Sequence, residues 1–269
     1  MGQYNYTKNS LNNDKIRSGI EDEQTGIKGA FLLVFLSYTA YQSFLFRSEL
    51  PLRNGDARYT MNMGEKLVIQ KFLQKNPVIL AVKNDEELKS ALNREGRVIF
   101  LLYGNICNLR ENVHLFKEKG KMVFVHADRI EGCTSHNVFV DFLKKEGNEV
   151  DGLISTHPRL LKYAREQGMI SILRVFLLDS LAVSNSLKSI AECQPDLVEV
   201  LPGIATGGFK LISNEYKGPL IAGGLIKSSE DVLAALAAGA IGISTTNLEL
   251  SEINRLIREE LQEKEQRTH

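Results

Sequence analysis

The chain has 269 residues, 43% hydrophobic and 25% charged, with 33 Lys plus Arg balanced by 33 Asp plus Glu. That composition fits a soluble globular protein long enough for one ~250-residue barrel, and its balance excludes a general cationic field for polyanions. Three widely spaced cysteines, Cys107, Cys133 and Cys193, are not near clustered histidines; they exclude a disulfide framework and a zinc site and fit a reducing, cytoplasmic compartment.

Residues 1–60 form an N-terminal extension that differs from the rest and is expected to be disordered or loosely helical. Within it Gly29 to Phe46, GAFLLVFLSYTAYQSFLF, is an uncharged run between Lys28 and Arg47. Its 18 residues reach the lower end of a membrane span. Ser37, Thr39, Gln42 and Ser43 dilute it, however, so no stable membrane association is expected. As a signal peptide it has an overlong, acid-containing leader and no clear small-residue cleavage site. Met61 and Met63 stand just before GEKLVIQKFLQKN, an amphipathic opening helix, and a functional start is expected there.

Residues 61–269 read as one domain. From Pro77 onward eight apolar, strand-like runs alternate with helical stretches: Val78 to Val82, Val98 to Tyr103, Met122 to Ala127, Gly152 to Ser155, Ile170 to Leu178, Leu197 to Leu201, Leu220 to Ile226 and Ala240 to Thr245. The pattern predicts a (βα)8 TIM-like barrel, an α/β fold. Pro158 fits a first helical position, Ser228 with Asp231 a capping box, Asp179 a helix cap, and Gly120, Gly147, Gly168 and Gly239 helix stops. Leu250, Ile253, Ile257 and Leu261 fall on one stripe of a closing helix.

The unit from Val198 to Asn247 carries the densest signal. Two β-branched runs separated by SSEDVLAALAAG make a βαβ unit with parallel strands. Gly223 and Gly224 open the backbone at the end of the first strand, and Ser244, Thr245, Thr246 and Asn247 supply donors at the end of the second. Late βα loops of a barrel commonly build a phosphate site in this way.

Side chains alternate along a strand, so Phe124, His126 and Asp128 share a face, as do Ile172, Arg174 and Phe176, and Leu197, Glu199 and Leu201. Charges in such strands must be paired or face the barrel mouth. The economical arrangement pairs Arg174 with Glu199 in the interior, near His126. His126 and Arg174 lie short of the strand ends and suit either core register or a ligand; Asp128 and Glu199 lie nearer the ends where barrels bind ligands. Lys83, directly after the first strand, suits an anionic ligand or a solvated loop equally.

The stretches NPVILAVKN (Asn76 to Asn84), FVHAD, DGLIST, RVFLLDS, PDLVEVLPG, IAGGLI and AGAIGISTTN occur in that order over about two thirds of the chain. They resemble the glycerol-3-phosphate-responsive antiterminators, regulators of glycerol uptake operons in Gram-positive bacteria. The resemblance implies a cytoplasmic regulator that binds glycerol 3-phosphate as its effector, needs no cofactor or metal, and engages leader mRNA to prevent a terminator hairpin. It implies phosphate against Gly223, Gly224, Ser244 and Thr245, and glycerol hydroxyls at Asp128 and Glu199; Lys83 and Arg174 are further ligand candidates from their own positions. A homo-oligomer is left open. This chain departs from relatives at His157, where Arg is usual, at Arg129, where an aliphatic residue is usual, and at IATGG after LPG.

From Pro77 onward 23 Lys plus Arg face 26 Asp plus Glu, a formal charge of −3, so an RNA contact must be local. Arg159, Lys162 and Arg165 share one helix face, with Lys144 and Lys145 ending the helix before it, and form the candidate RNA surface. The alternative class is a TIM-barrel enzyme acting on a small phosphorylated substrate, with Asp128 and Glu199 as acid and base.

Overall fold

The computed structural model describes residues 69–133, 135–145 and 149–267. The expectations for the extension, the Gly29–Phe46 run and the start at Met61 or Met63 fall outside these residues. No helix among the described residues is long and apolar enough to cross a membrane.

Eight parallel strands close into a barrel in sequence order: β1 (Val78–Val82), β2 (Val98–Leu101), β3 (Met122–His126), β4 (Gly152–Ser155), β5 (Ile170–Phe176), β6 (Leu197–Leu201), β7 (Leu220–Gly223) and β8 (Gly242–Thr245). Helices cover 69–75 (α1), Asp85–Leu92 (α2), Leu109–Glu118 (α3), Asn137–Lys145 (α4), Pro158–Glu166 (α5), Ser180–Cys193 (α6), Thr206–Glu215 (α7), Ser229–Ala237 (α8) and Glu252–Arg267 (α9). This is the expected (βα)8 fold, and right-handed βαβ connections explain why the strands lie in chain order.

The punctuation follows from side-chain chemistry. Asn84 and Asp179 accept the Glu87 and Ala182 amides at 2.8 and 2.7 Å, Ser228 and Asp231 form a capping box, and Pro158 occupies the first turn of α5. Gly120, Gly168 and Gly239 take positive φ after α3, α5 and α8; Gly147 lies outside the described residues. Of the last stripe, Leu250, Ile253 and Ile257 are buried.

Four strands end earlier than their apolar runs. β7 stops at Gly223 because Gly224 and Leu225 adopt left-handed backbone, φ 76° and 62°, which no ladder accommodates. β2 ends at Leu101 shortly before Gly104 turns at φ 108°, β3 passes into a 3-10 turn over Ala127–Arg129, and β5 ends at Phe176 ahead of the cap at Asp179. These early exits free the carboxyl ends for loops.

The lower interior is apolar. Phe100 and Phe124 meet edge to face with centroids 5.9 Å apart, and Gly152 leaves room for the Phe124 ring. Closure is made by backbone pairing of β1 with β8, Ile79 opposite Ser244, and by Asn254 of α9, whose amide bonds both the N–H and the C=O of Val78 at 2.8 and 2.9 Å.

Candidate functional site

Above the apolar layers, register places four polar side chains inside the barrel near the carboxyl ends: His126 of β3, Arg174 of β5, Glu199 of β6 and Ser244 of β8. Glu199 is 0% exposed and accepts two hydrogen bonds, from Arg174 Nε at 2.6 Å and from Ser244 Oγ. A buried carboxylate needs such company, because leaving either member alone in the interior costs about 3–5 kcal/mol. Arg174 thus gives one donor to Glu199, and a guanidinium carries four further N–H groups. The expected Arg174–Glu199 pair is present.

His126 lies near that pair, as expected, but makes no hydrogen bond with it. It is 2% exposed and neither ring nitrogen has a hydrogen-bond partner. Burial, reinforced by the nearby Arg174 cation, pushes its pKa down to about 3, so the ring is neutral at physiological pH. A neutral imidazole offers one donor and one acceptor, the complement of an alcohol. Sequence parity had placed His126 beside Asp128, yet only the structure singles it out by leaving both nitrogens unmatched.

Asp128 makes three hydrogen bonds at the rim that its sequence position did not announce. Its carboxylate accepts Ser155 Oγ at 2.6 Å and the Thr156 amide and hydroxyl at 2.8 and 2.9 Å, clipping the turn after β3 to the end of β4. Burial raises its pKa, and these bonds outweigh burial and hold it below the usual carboxylate range. The side chain itself remains at the surface. Ser155 and Thr156, its partners, were not singled out in the sequence; the hydroxyl pair of DGLIST was the available signal.

The glycine loop is built around Glu199. A Cβ on Gly223 would lie 2.5 Å from Glu199 Oε1 and 2.8 Å from Ser244 Oγ, so the absent side chain is what lets the carboxylate sit there. Gly223 and Ser244 do converge, as register partners, and the Glu199 carboxylate packs against both. Thr245 points the other way, as alternation requires: its hydroxyl donates to the Ile226 carbonyl at 3.0 Å, tying the loop after β7 to β8. Among the described residues the amides of Gly224 and Leu225 donate to no carbonyl, and Leu225, 60% exposed, holds a conformation that costs a non-glycine residue of order 1 kcal/mol.

Lys83 is drawn toward α2, 3.1 Å from Glu87. On the candidate RNA face, Arg165 Nη1 donates to the Gln194 carbonyl at 2.7 Å and Lys144 to the Gln167 carbonyl. Arg159 lies 3.8 Å from Glu192 across a groove of about 740 Å³ that His136 and His157 also line. Arg159 and Lys162 stay exposed; nothing is stated of the Lys145 side chain. All three cysteines are free, and the described residues contain no group of His, Cys, Asp and Glu able to hold a metal.

Fold and site define a (βα)8 barrel with a buried, hydrogen-bonding layer just below its carboxyl-end mouth, the end at which barrels of this class carry their sites. The particular family follows from comparison. The chain belongs to the glycerol-3-phosphate responsive antiterminators, whose family model matches residues 78–251. It is 41% identical over 175 residues to the uncharacterized protein YgcP of Escherichia coli K12, covering 65% of this chain and 91% of that protein. The crystal structure of a glycerol uptake operon antiterminator regulatory protein from Listeria monocytogenes matches 63% of this chain and 91% of its own, at 33% identity and a TM-score of 0.61. An antiterminator-related protein from Thermotoga maritima matches 66% and 98%, at 29% identity and a TM-score of 0.59.

Proposed function

We propose that this chain is an antiterminator that senses glycerol 3-phosphate at the barrel mouth and, so loaded, binds the leader mRNA of glycerol-utilisation operons. The observation that carries the ligand reading is the buried His126 with both nitrogens unmatched, next to Arg174. An unsatisfied buried polar group costs about 1–3 kcal/mol, which a ligand hydroxyl at the ring recovers. Arg174, with N–H groups beyond the one held by Glu199, and the amides of Gly224 and Leu225 are donors for the phosphate. Gly223 and Ser244 act one step behind, by fixing Glu199 and through it Arg174. Asp128, already accepting three hydrogen bonds, shapes the rim and has a remaining lone pair for a hydroxyl.

Binding without turnover is the better reading of this chemistry. An imidazole with a pKa of about 3 is a weak base at neutral pH, and none of the eight strands carries a lysine that could form a Schiff base. The test is calorimetric titration with glycerol 3-phosphate, glycerol and inorganic phosphate, followed by leader-RNA binding with and without the effector, with the titrated ligand recovered and assayed for product. Selective binding of glycerol 3-phosphate, tighter RNA binding in its presence and unchanged ligand are expected. Product formation, or RNA affinity indifferent to the effector, overturns the reading.

A further inference from the structure

The amino-terminal end of the barrel, opposite the polar layer, holds a second charged feature. A cleft of about 370 Å³ opens where the chain enters β1, β2 and β3, and six cations line it: Lys75, Arg94, Arg97, Lys119, Lys121 and Arg258. Glu95 is the one carboxylate in its wall among the described residues. Such a concentration is unexpected on a domain whose formal charge from Pro77 onward is −3, 23 basic against 26 acidic residues.

The six divide into two kinds. Arg94 forms a two-pronged pair with Glu249 at 2.9 and 2.5 Å, Arg258 bonds Asn76 and Glu95, and Lys121 donates to the Arg94 and Gly96 carbonyls, both at 2.8 Å. These three fix the walls. Lys75, Arg97 and Lys119 are exposed and belong to no ion pair among the described residues. The Arg97 guanidinium reaches within 3.7 Å of where a Gly120 Cβ would stand, at the residue next in sequence to Lys119. Phe72, partly exposed, lies in the same wall.

We infer that this cleft seats the phosphodiester backbone of single-stranded RNA, with Lys75, Arg97 and Lys119 as phosphate contacts and Phe72 as a face on which a base stacks. Uncompensated cations around an open rim, interleaved with an aromatic ring, suit an extended polyanion, whereas a small anion requires donors converging on one point. The α5 face is the poorer surface, since Arg165 and Lys144 already serve carbonyl oxygens. The inference rests on the antiterminator reading and deepens it: effector and RNA occupy opposite ends of the barrel and bind together without competing.

The experiment uses the full chain, saturating glycerol 3-phosphate and a glycerol-operon leader transcript, titrated between about 50 and 200 mM salt. Lys75→Ala/Arg97→Ala/Lys119→Ala is expected to lower RNA affinity at least tenfold at low salt. It should also flatten the slope of log affinity against log salt by about 2, at roughly 0.7 per lost contact. Glycerol 3-phosphate affinity should stay at the wild-type value, and Lys75→Arg/Lys119→Arg should keep RNA binding. Wild-type RNA affinity and slope in the triple alanine variant overturn the inference. So does a loss that appears instead in Arg159→Ala/Lys162→Ala, a loss of effector affinity together with RNA affinity, or a loss of inorganic phosphate binding with RNA binding intact. Failure of the unaltered chain to bind the transcript removes the antiterminator reading itself, an outcome distinct from failure of the cleft alone.

Discussion

A single ring links the site to the pH dependence of the whole molecule. His126 has an ordinary imidazole pKa near 6.5 when unfolded and about 3 in the barrel, where burial and Arg174 oppose its charge. Between those values the unfolded chain binds the extra proton, so stability is fully present above pH 6.5 and falls as pH drops toward 3, by up to about 1.4 kcal/mol per unit. The Asp128 clip, with its pKa held below 3.8, is lost only in more acid solution. Urea midpoints measured from pH 6.5 to 5.5, above the range of the lowered Glu230 and Glu249, therefore report chiefly the histidine: the slope should be present in the wild type and much reduced in His126→Leu, which also loses about tenfold in glycerol 3-phosphate affinity. At Gly223 an alanine Cβ would press on Glu199, and overpacking of this kind costs about 1–3 kcal/mol. Gly223→Ala should weaken effector binding at least tenfold, while Gly207→Ala, which meets open space on α7, should be neutral or stabilising by up to ~1 kcal/mol. Equal effects of the two would contradict the account of the glycine loop.

Among the elements, α9 has a role that its apolar stripe only half explains. Leu250, Ile253 and Ile257 bury one face, but Asn254 adds a directional lock by satisfying both backbone groups of Val78. Removing it leaves a buried N–H and a buried C=O unmatched. Asn254→Ala should destabilise the barrel by about 2–4 kcal/mol, read as a lower denaturant midpoint at an unchanged m-value. The same logic explains the loop after β7: Thr245 holds the Ile226 carbonyl, and Leu225 is kept in a strained conformation between that anchor and Gly224.

At the scale of the molecule, the apolar floor and the closing helix form a rigid frame, and the polar layer lies where a ligand reaches it from the carboxyl ends. A ligand that binds only the folded barrel stabilises it by about 2.7 kcal/mol at a hundred times its dissociation constant. For a domain of this size that corresponds to a rise of roughly 5–10 °C in Tm. Glycerol 3-phosphate should produce that rise, and glycerol and inorganic phosphate much smaller ones; comparable shifts with all three would argue that the mouth does not read the joined molecule.

Much of this was written in the chain. Alternating apolar runs and capped helices determined the barrel and its order, and parity determined that Arg174 would meet Glu199, because period-two alternation and helix caps are local properties of the backbone. The other contacts between residues far apart in sequence were decided by the tertiary structure alone. Examples are the carboxylate of Glu199 filling the space beside Gly223, Thr245 turned outward, Asp128 held by β4, His126 left without partners, and cations from α1, two strand entries and α9 gathered at one end. Closing a sheet into a cylinder fixes which strands share a layer, and burial then sets the charge state and free valences of the side chains inside it.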